Sequence, residues 1–199
     1  MGVINPSHQN VYSEAQCLEA ILAMSSRVAK DGVERHVGPG NSARALIAER
    51  NYTAFSPLWD RDLAAIATQS EVMDSILYMV FPNFAPWAGF QPQLTYRHRP
   101  NGDDHQSCIM DIFMLGRFPE GSARPADATT VRLGADEPFM NAKDTLGEGL
   151  ARVFDQDATN LPFVQRGMRA SGTGEAVLGN YQEVRIRHYH QTLDKYLNS

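Results

Sequence analysis

The sequence predicts an α+β domain in which a curved antiparallel sheet has a long helix laid across it. Two observations carry this prediction: helical patterns occur in both halves of the chain, and β-rich segments are grouped together between them. Grouped strands joined by short turns form antiparallel meanders rather than parallel sheets. A sheet and helix arranged in this way enclose an apolar cavity, which is a natural site for a hydrophobic ligand.

The chain before residue 75 is predicted to be helical. From Ser13 to about Lys30 apolar residues recur at helical spacing, and Ser13 is a suitable N-cap. Residues 32–42 contain three glycines and a proline, which indicates a loop or short strand. A second helix is predicted from Pro57 to about Ser75, because acidic residues near its start favour a helix N-terminus.

The predicted strands follow. Residues 76–81 form a β-type run that Pro82 stops, and residues 91–99 alternate in polarity. Pro100-Asn101-Gly102-Asp103 is a strong turn signal, and a further apolar strand is predicted from His105 to Phe118. These segments predict the antiparallel meander.

The last third of the chain is predicted to hold two helices. A connection rich in Gly, Pro and Asp runs from Pro119 to about Pro138. The long helix is expected from near Leu146 to about Ser171, and a final helix from about Gln182 to Leu197.

The long helix carries a polar pair on an apolar face. Asp157 and Asn160 lie three residues apart and share a face with Phe154 and Val164, so we expect both to point away from water. Burying a carboxylate costs several kcal/mol unless a partner or a metal holds it. Asp157 is therefore the first candidate for chemistry.

A structural role for the same residues is the alternative. Pro162 removes the helical hydrogen bond to the carbonyl of Ala158, and Asp and Asn side chains often bind backbone near such breaks. The residues alone leave both interpretations open.

Composition excludes several classes of function. The 199 residues predict one domain spanning 1–199, and a net charge of −5 without a basic cluster argues against nucleic-acid binding. The sequence has no apolar run long enough to cross a membrane and no signal-peptide pattern, so a cytoplasmic protein is expected. Cys17 and Cys108 occur in neither CxxC nor CxH motifs, so no thiolate metal site is predicted.

Three sequence blocks carry a family resemblance. They are residues 80–83 (VFPN), residues 154–167 (FDQDATNLPFVQRG) and residues 182–190 (QEVRIRHYH). In order and spacing they resemble the C-terminal catalytic domain of Rieske-type aromatic-ring-hydroxylating dioxygenase α subunits. The resemblance covers about residues 75–197 and, more weakly, residues 15–45.

The resemblance implies a helix-grip (START/Bet v 1-like) fold with a C-terminal helix. It also implies a mononuclear non-haem Fe(II), held by two histidines and one aspartate, that activates dioxygen beside an apolar aromatic molecule. A separate Rieske or reductase component and a homo-oligomeric assembly are the implied partners. The Rieske cluster motif itself does not occur in this chain, so the resemblance predicts an incomplete catalytic-domain portion.

Carried over residue by residue, the resemblance makes Asp157 the iron ligand and Asn160 its hydrogen-bonding neighbour. The family takes its two histidines from a D-x2-H-x4-5-H segment ahead of the first helix. Here Asn5, His8 and Glu14 stand at that spacing, which predicts an altered set of His8, Glu14 and Asp157. The alternative is that His8 belongs to a loose terminus and Glu14 is an ordinary carboxylate in the first turn of a helix.

Apolar residues near the expected cavity are candidates for contact with substrate, although core packing is their usual role. The predicted substrate-pocket residues are Phe81, Phe90, Phe113, Phe154 and Val164, and Phe84, Trp87 and Met114 are also expected nearby. Two functions remain open at this point. One is a ring-hydroxylating oxygenase portion, and the other is a non-catalytic protein that binds a hydrophobic molecule or serves as a structural subunit.

Overall fold

The computed structural model describes residues 12–24, 36–91 and 93–199. The helices, in chain order, are α1 (Glu14–Met24), α2 (Ala43–Trp59), α3 (Leu63–Ile66), α4 (Gln69–Met73), α5 (Lys143–Leu146), α6 (Glu148–Ala170) and α7 (Val184–Leu197). The strands are β1 (Ile76–Leu77), β2 (Phe84–Ala88), β3 (Gln93–Asn101) and β4 (Asp104–Leu115), and a 3₁₀ turn (Phe139–Ala142) precedes α5. The predicted α+β class is confirmed.

The first core lies between α1 and α2. Leu18 and Leu22 of α1 are buried against Ala43 and Ile47 of α2. The predicted N-cap of α1 is confirmed, because the hydroxyl of Ser13 accepts a 3.3 Å hydrogen bond from the Gln16 N–H. The predicted extension of this helix beyond Met24 falls on residues 25–35 and lies outside the described residues.

The prediction of one helix from Pro57 to Ser75 is wrong. The main helix, α2, ends at Trp59 and carries Pro57 in its last turn. Four of its buried residues, Ala43, Ile47, Asn51 and Phe55, are spaced four apart, and Ala48 lies beside them, so burial of one face sustains the helix. The stretch that follows forms the two short helices α3 and α4, which begin at separate side-chain caps.

The sheet is an antiparallel meander in the order β1-β2-β3-β4. The predicted hairpin at residues 100–103 is confirmed, since β3 and β4 pair from Gln93↔Leu115 to Asn101↔Asp104. The predicted strand over residues 76–81 shrinks to β1 and a single bridge between Val80 and Phe84. Strand β2 was not predicted, because Pro82 precedes this segment and Pro86 lies within it, and prolines argue against a strand. The segment is a strand through its pairing with β3.

The sheet is joined to the helical layer at Gly89. Its backbone has φ +99, and a Cβ there would lie 2.5 Å from the carbonyl oxygen of Glu71. The next N–H, of Phe90, donates a 2.9 Å hydrogen bond to that same oxygen. Only glycine allows the end of β2 to approach α4 this closely.

Helix α6 is continuous from Glu148 to Ala170 with Pro162 inside it, so the predicted break is not observed. Its first half is held by Asp155, whose carboxylate accepts hydrogen bonds from the backbone N–H groups of Phe139 and Met140 at 2.5 and 3.2 Å. Helix α7 packs beside the start of β2. None of the described helices has the length and apolar content to span a membrane.

Candidate functional site

One face of the sheet is turned toward α6. Tyr96 on β3 defines it, because its ring contacts Phe154 of α6 at 5.8 Å between centroids. Side chains of paired residues in an antiparallel sheet share a face, and successive residues alternate. From the register of β3 and β4, the residues on this face are Leu94, Tyr96, His98, Met110, Ile112 and Met114.

Helix α6 touches this face near its two ends. Phe154 packs on Tyr96 with an interplanar angle of 83°, and the side-chain amide of Gln165 donates a 3.3 Å hydrogen bond to the Gln106 carbonyl on β4. At about 100° per residue, Leu161 and Met168 project on the same side as these two contacts. Their exposed fractions are nonetheless 63% and 60%. An open groove with an apolar wall therefore separates α6 from the sheet.

The closed end of the groove is aromatic. Phe154 is 7% exposed and lies between Tyr96 and Phe139, whose ring centroid is 5.1 Å away. Trp87 on β2 meets Tyr96 edge-on at 6.3 Å. Rings in these tilted and T-shaped contacts stabilise one another by about 0.5–1.5 kcal/mol beyond the area they bury.

Asp157 and Asn160 follow Phe154 along α6, and both are exposed. The prediction that they point away from water is therefore wrong, because the sheet does not close over the helix beyond Phe154. Asp157 still lies on the groove side of α6. Burial raises the pKa of Tyr96 to about 12, and the negative charge of Asp157 adds to that rise while the indole of Trp87 opposes it.

The second predicted ligand position has a structural role. The carboxylate of Glu14 accepts a 2.7 Å hydrogen bond from the Ala43 N–H at the start of α2. This contact fits the alternative of a carboxylate that favours a helix N-terminus, here the N-terminus of a different helix. The predicted ligand His8 lies outside the described residues.

The described part of the chain does not complete an iron site. Within residues 12–24, 36–91 and 93–199, no three His, Cys, Asp or Glu side chains lie close enough together to hold a metal ion. Asp157 is exposed, and the carboxylate of Glu14 accepts a hydrogen bond from the Ala43 N–H. The donor set here therefore does not fit the two-histidine, one-carboxylate arrangement by itself.

The predicted pocket residues separate into two groups. Phe154 forms the closed end of the groove, and Val164, 48% exposed, lies at the groove edge of α6. The structure does not bring Phe81 or Phe90 to this cluster. Phe81 stacks on Tyr196 of α7 at 4.9 Å, and Phe90 packs edge-on against Trp59 of α2 at the same distance.

Phe113 lies on the opposite face of the sheet. It pairs with Thr95, which neighbours Tyr96 and therefore points the other way. The guanidinium of Arg97 lies 5.4 Å from the Phe113 ring centre. On this outer face Arg99, followed by Arg97, holds the pKa of Asp111 well below its usual range through hydrogen bonds. Phe113 therefore belongs to a charged outer surface and not to the groove.

Tyr96 is the residue at the site that the sequence interpretation missed. The alternation over residues 91–99 indicated a strand with two distinct faces, and it places Tyr96 on the same face as Leu94 and His98. It did not indicate which face lies under α6. Trp87 and Met114, both expected near a cavity, do lie on the groove face.

Comparison with known families supplies the wider context. Residues 6–199 match the family described as the ring hydroxylating alpha subunit, catalytic domain. Searches of curated proteins and of solved structures find no match. The family match extends over almost the whole chain and includes every element of the groove. The chain therefore belongs to the ring-hydroxylating alpha-subunit family, as a catalytic domain of that family.

Proposed function

We propose that the groove between α6 and the sheet holds an apolar aromatic molecule that this domain presents for hydroxylation. The observation that carries the proposal is the groove itself: an aromatic closed end at Phe154 and an apolar wall at Leu161 and Met168 that no described residue covers. Flat apolar rings suit such a surface, because burial of apolar area supplies the binding free energy without a need for many polar partners.

The family supports an oxygenase catalytic domain. On that basis Asp157 is the residue of this chain that would contribute an oxygen ligand to iron(II), with Asn160 beside it on α6. The remaining ligands would come from residues outside the described part, His8 among them, or from another chain. Iron, if bound, would supply dioxygen activation in this chemistry, and the role of α6 and the sheet would be to hold the ring.

A metal-independent role is the second candidate. It is favoured by Glu14, whose carboxylate accepts the hydrogen bond from the Ala43 N–H and so has a structural role in α2. In that case the same groove would bind a hydrophobic molecule without oxidising it. Both candidate functions expect the groove to bind an apolar aromatic molecule, but only the oxygenase function requires bound iron.

Two measurements test the proposal together. The purified chain is reconstituted anaerobically with iron(II) and analysed for metal, and aromatic binding is followed by calorimetry. The oxygenase proposal expects iron near one equivalent, lost in Asp157→Ala and retained in Asp127→Ala, which removes an exposed carboxylate from the connection before α5. Aromatic binding without iron in any variant would establish the metal-independent function, and absence of aromatic binding would refute both.

A further inference from the structure

Strand β4 forms an open edge of the sheet. It is the last strand in the order β1-β2-β3-β4, so β3 pairs with only one of its two sides. The other side of such a strand presents backbone N–H and C=O groups that lack a partner in the sheet, and these groups can pair with a strand of another chain. With 12 residues, β4 is the longest of the described strands.

The register shows which residues carry these outward groups. The His98 N–H donates a 2.9 Å hydrogen bond to the Asn83 carbonyl, and the side-chain amide of Asn83 donates to the His98 carbonyl at 2.7 Å. Both backbone groups of His98 therefore point away from β4, so its pairing partner Met110 turns its own N–H and C=O away from β3. The direction alternates along a strand. The other residues with outward groups are Cys108, Ile112 and Met114.

These outward groups are open for pairing. Outside the β3–β4 ladder, none of the four residues shares a backbone hydrogen bond with the described part of the chain. The edge is closed only at Gln106, whose carbonyl accepts a 3.3 Å hydrogen bond from Gln165 of α6. The open edge therefore extends from Cys108 to Met114.

The middle of this edge is apolar. From Cys108 to Leu115 the only charged residue is Asp111. Its carboxylate lies 2.9 Å from the Arg97 guanidinium and 2.7 Å from that of Arg99, so its charge is already compensated. An edge strand that carries few uncompensated charges is poorly protected against pairing with another strand.

The two ends of β4 carry opposite charges. Asp103 immediately precedes the strand, and Arg117 follows it after one intervening residue. Both side chains are exposed. When two identical strands pair in antiparallel order, the acidic start of each lies beside the basic end of the other. This charge complementarity favours a second copy of the same chain over an unrelated strand.

We propose that two copies of this chain pair through β4 in antiparallel order about a two-fold axis, which joins their two four-stranded sheets. Met110 of one copy lies opposite Met110 of the other, because only residues with outward groups on both strands form hydrogen-bonded pairs. This register brings Asp103 opposite Arg117 of the other copy. It also places Asp111 opposite Ile109, and so keeps the two Asp111 carboxylates from facing each other directly. The interface does not depend on what the groove binds.

Sedimentation equilibrium of the full chain tests the association. Between about 1 and 300 μM chain, the weight-average mass should rise from that of the monomer toward that of the dimer. Ile112→Pro removes an outward N–H and leaves the ladder with β3 intact, and edge strands tolerate proline at such positions. It should raise the dissociation constant of the dimer at least about 10-fold. Val131→Pro, in the exposed connection before α5, is the control and should leave the constant unchanged.

A charge exchange tests the identity of the partner. Asp103→Arg and Arg117→Asp should each raise the dissociation constant by about 3- to 10-fold, because each places like charges together at both ends of the interface. The double variant restores opposite charges only if the strand pairs with a copy of itself. Its dissociation constant should therefore return to within about 2-fold of the wild-type value.

A disulfide cross-link tests the register. Paired residues at the axis lie about 5.5 Å apart between Cα atoms, which a disulfide can span. In a chain that carries Cys108→Ser, Met110→Cys should form a covalent dimer on mild oxidation. Phe113→Cys in the same background should not, because the two copies of residue 113 would lie about 20 Å apart.

Each outcome supports or overturns the pairing. A monomer at every concentration overturns it and leaves the edge to a strand of a different chain. A dimer that resists Ile112→Pro, or a double charge variant that is not restored, overturns it because another surface or partner is then involved. Equal cross-linking of the two cysteine variants overturns the register. If Ile112→Pro does not fold, the charge exchange and the cross-link decide the matter.

Discussion

Replacing Glu14 by Ala is expected to destabilise the helical layer rather than to remove a metal ligand. The carboxylate accepts from the Ala43 N–H at 2.7 Å, and the Ser42 hydroxyl accepts from the Ala45 N–H at 3.1 Å. A helix leaves its first four N–H groups without a partner inside the helix. The two side chains therefore satisfy two of these groups in α2, and Glu14 also ties α1 to α2.

The size of the effect follows from this geometry. A capping side chain contributes about 1 kcal/mol, and a negative charge at a helix N-terminus adds about 0.3–1 kcal/mol. Glu14 is exposed, so the lower part of the range applies and Glu14→Ala should cost about 1–1.5 kcal/mol of unfolding free energy. Glu14→Gln keeps an acceptor but removes the charge, and should cost about 0.5 kcal/mol.

Urea unfolding measures this difference. With a slope of about 2 kcal/mol per molar urea, the midpoint of Glu14→Ala should fall by about 0.5–0.75 M. Glu120→Ala, which removes an exposed carboxylate from the connection between the sheet and α5, should change stability by less than about 0.5 kcal/mol. If Glu14→Ala has wild-type stability but loses iron, the carboxylate serves as a ligand and the structural interpretation is refuted.

Three further predictions concern the groove and the outer face. Phe154→Ala should lower the unfolding free energy by about 3–5 kcal/mol in urea titrations, because the buried ring has aromatic contacts on two sides. A loss below about 1 kcal/mol would contradict this packing. Leu161→Asp places a charge on the apolar wall of the groove and should abolish aromatic binding in calorimetry. It should change stability little, since Leu161 is 63% exposed. Phe163→Asp is the control: Phe163 is 61% exposed on the far side of α6, so this variant should bind aromatic molecules normally. The pKa of Asp111 is lowered in the folded chain, chiefly by Arg99, so its stabilising contribution is present above the unfolded value of about 3.9 and is lost as pH falls below it. Asp111→Asn should therefore flatten the decline of melting temperature between about pH 4 and pH 2, and an unchanged decline would argue against the pairing.

The elements that the sequence predicted well are those with a local cause. The hairpin between β3 and β4 follows from Pro100-Asn101-Gly102-Asp103, and the long helix from the regular spacing of apolar residues along 148–170. Helix α2 was not predicted because polar and aromatic residues separate its buried positions, such as Ile47 and Phe55. Ile47 is buried only through its contact with α1, a segment distant in the chain.

The same distinction applies to the candidate site. Asp157 could be singled out because a carboxylate beside Phe154 is unusual within an apolar helical pattern. Its exposure could not be predicted, since it depends on how far the sheet reaches along α6. The pocket prediction for Phe113 was unreliable for a related reason: a period of two divides a strand into two faces but does not say which face is covered.

By itself the sequence determined the α+β class, the strand meander, the long helix and the resemblance to ring-hydroxylating alpha subunits, because these depend on turn residues, spacing and short blocks of residues. Only the tertiary structure decided that Tyr96 and Trp87 line the groove, that Phe81, Phe90 and Phe113 lie elsewhere, and that Glu14 holds α2. The physical reason is that these placements result from contacts between segments distant in the chain, and such contacts leave no periodic signal in either segment alone.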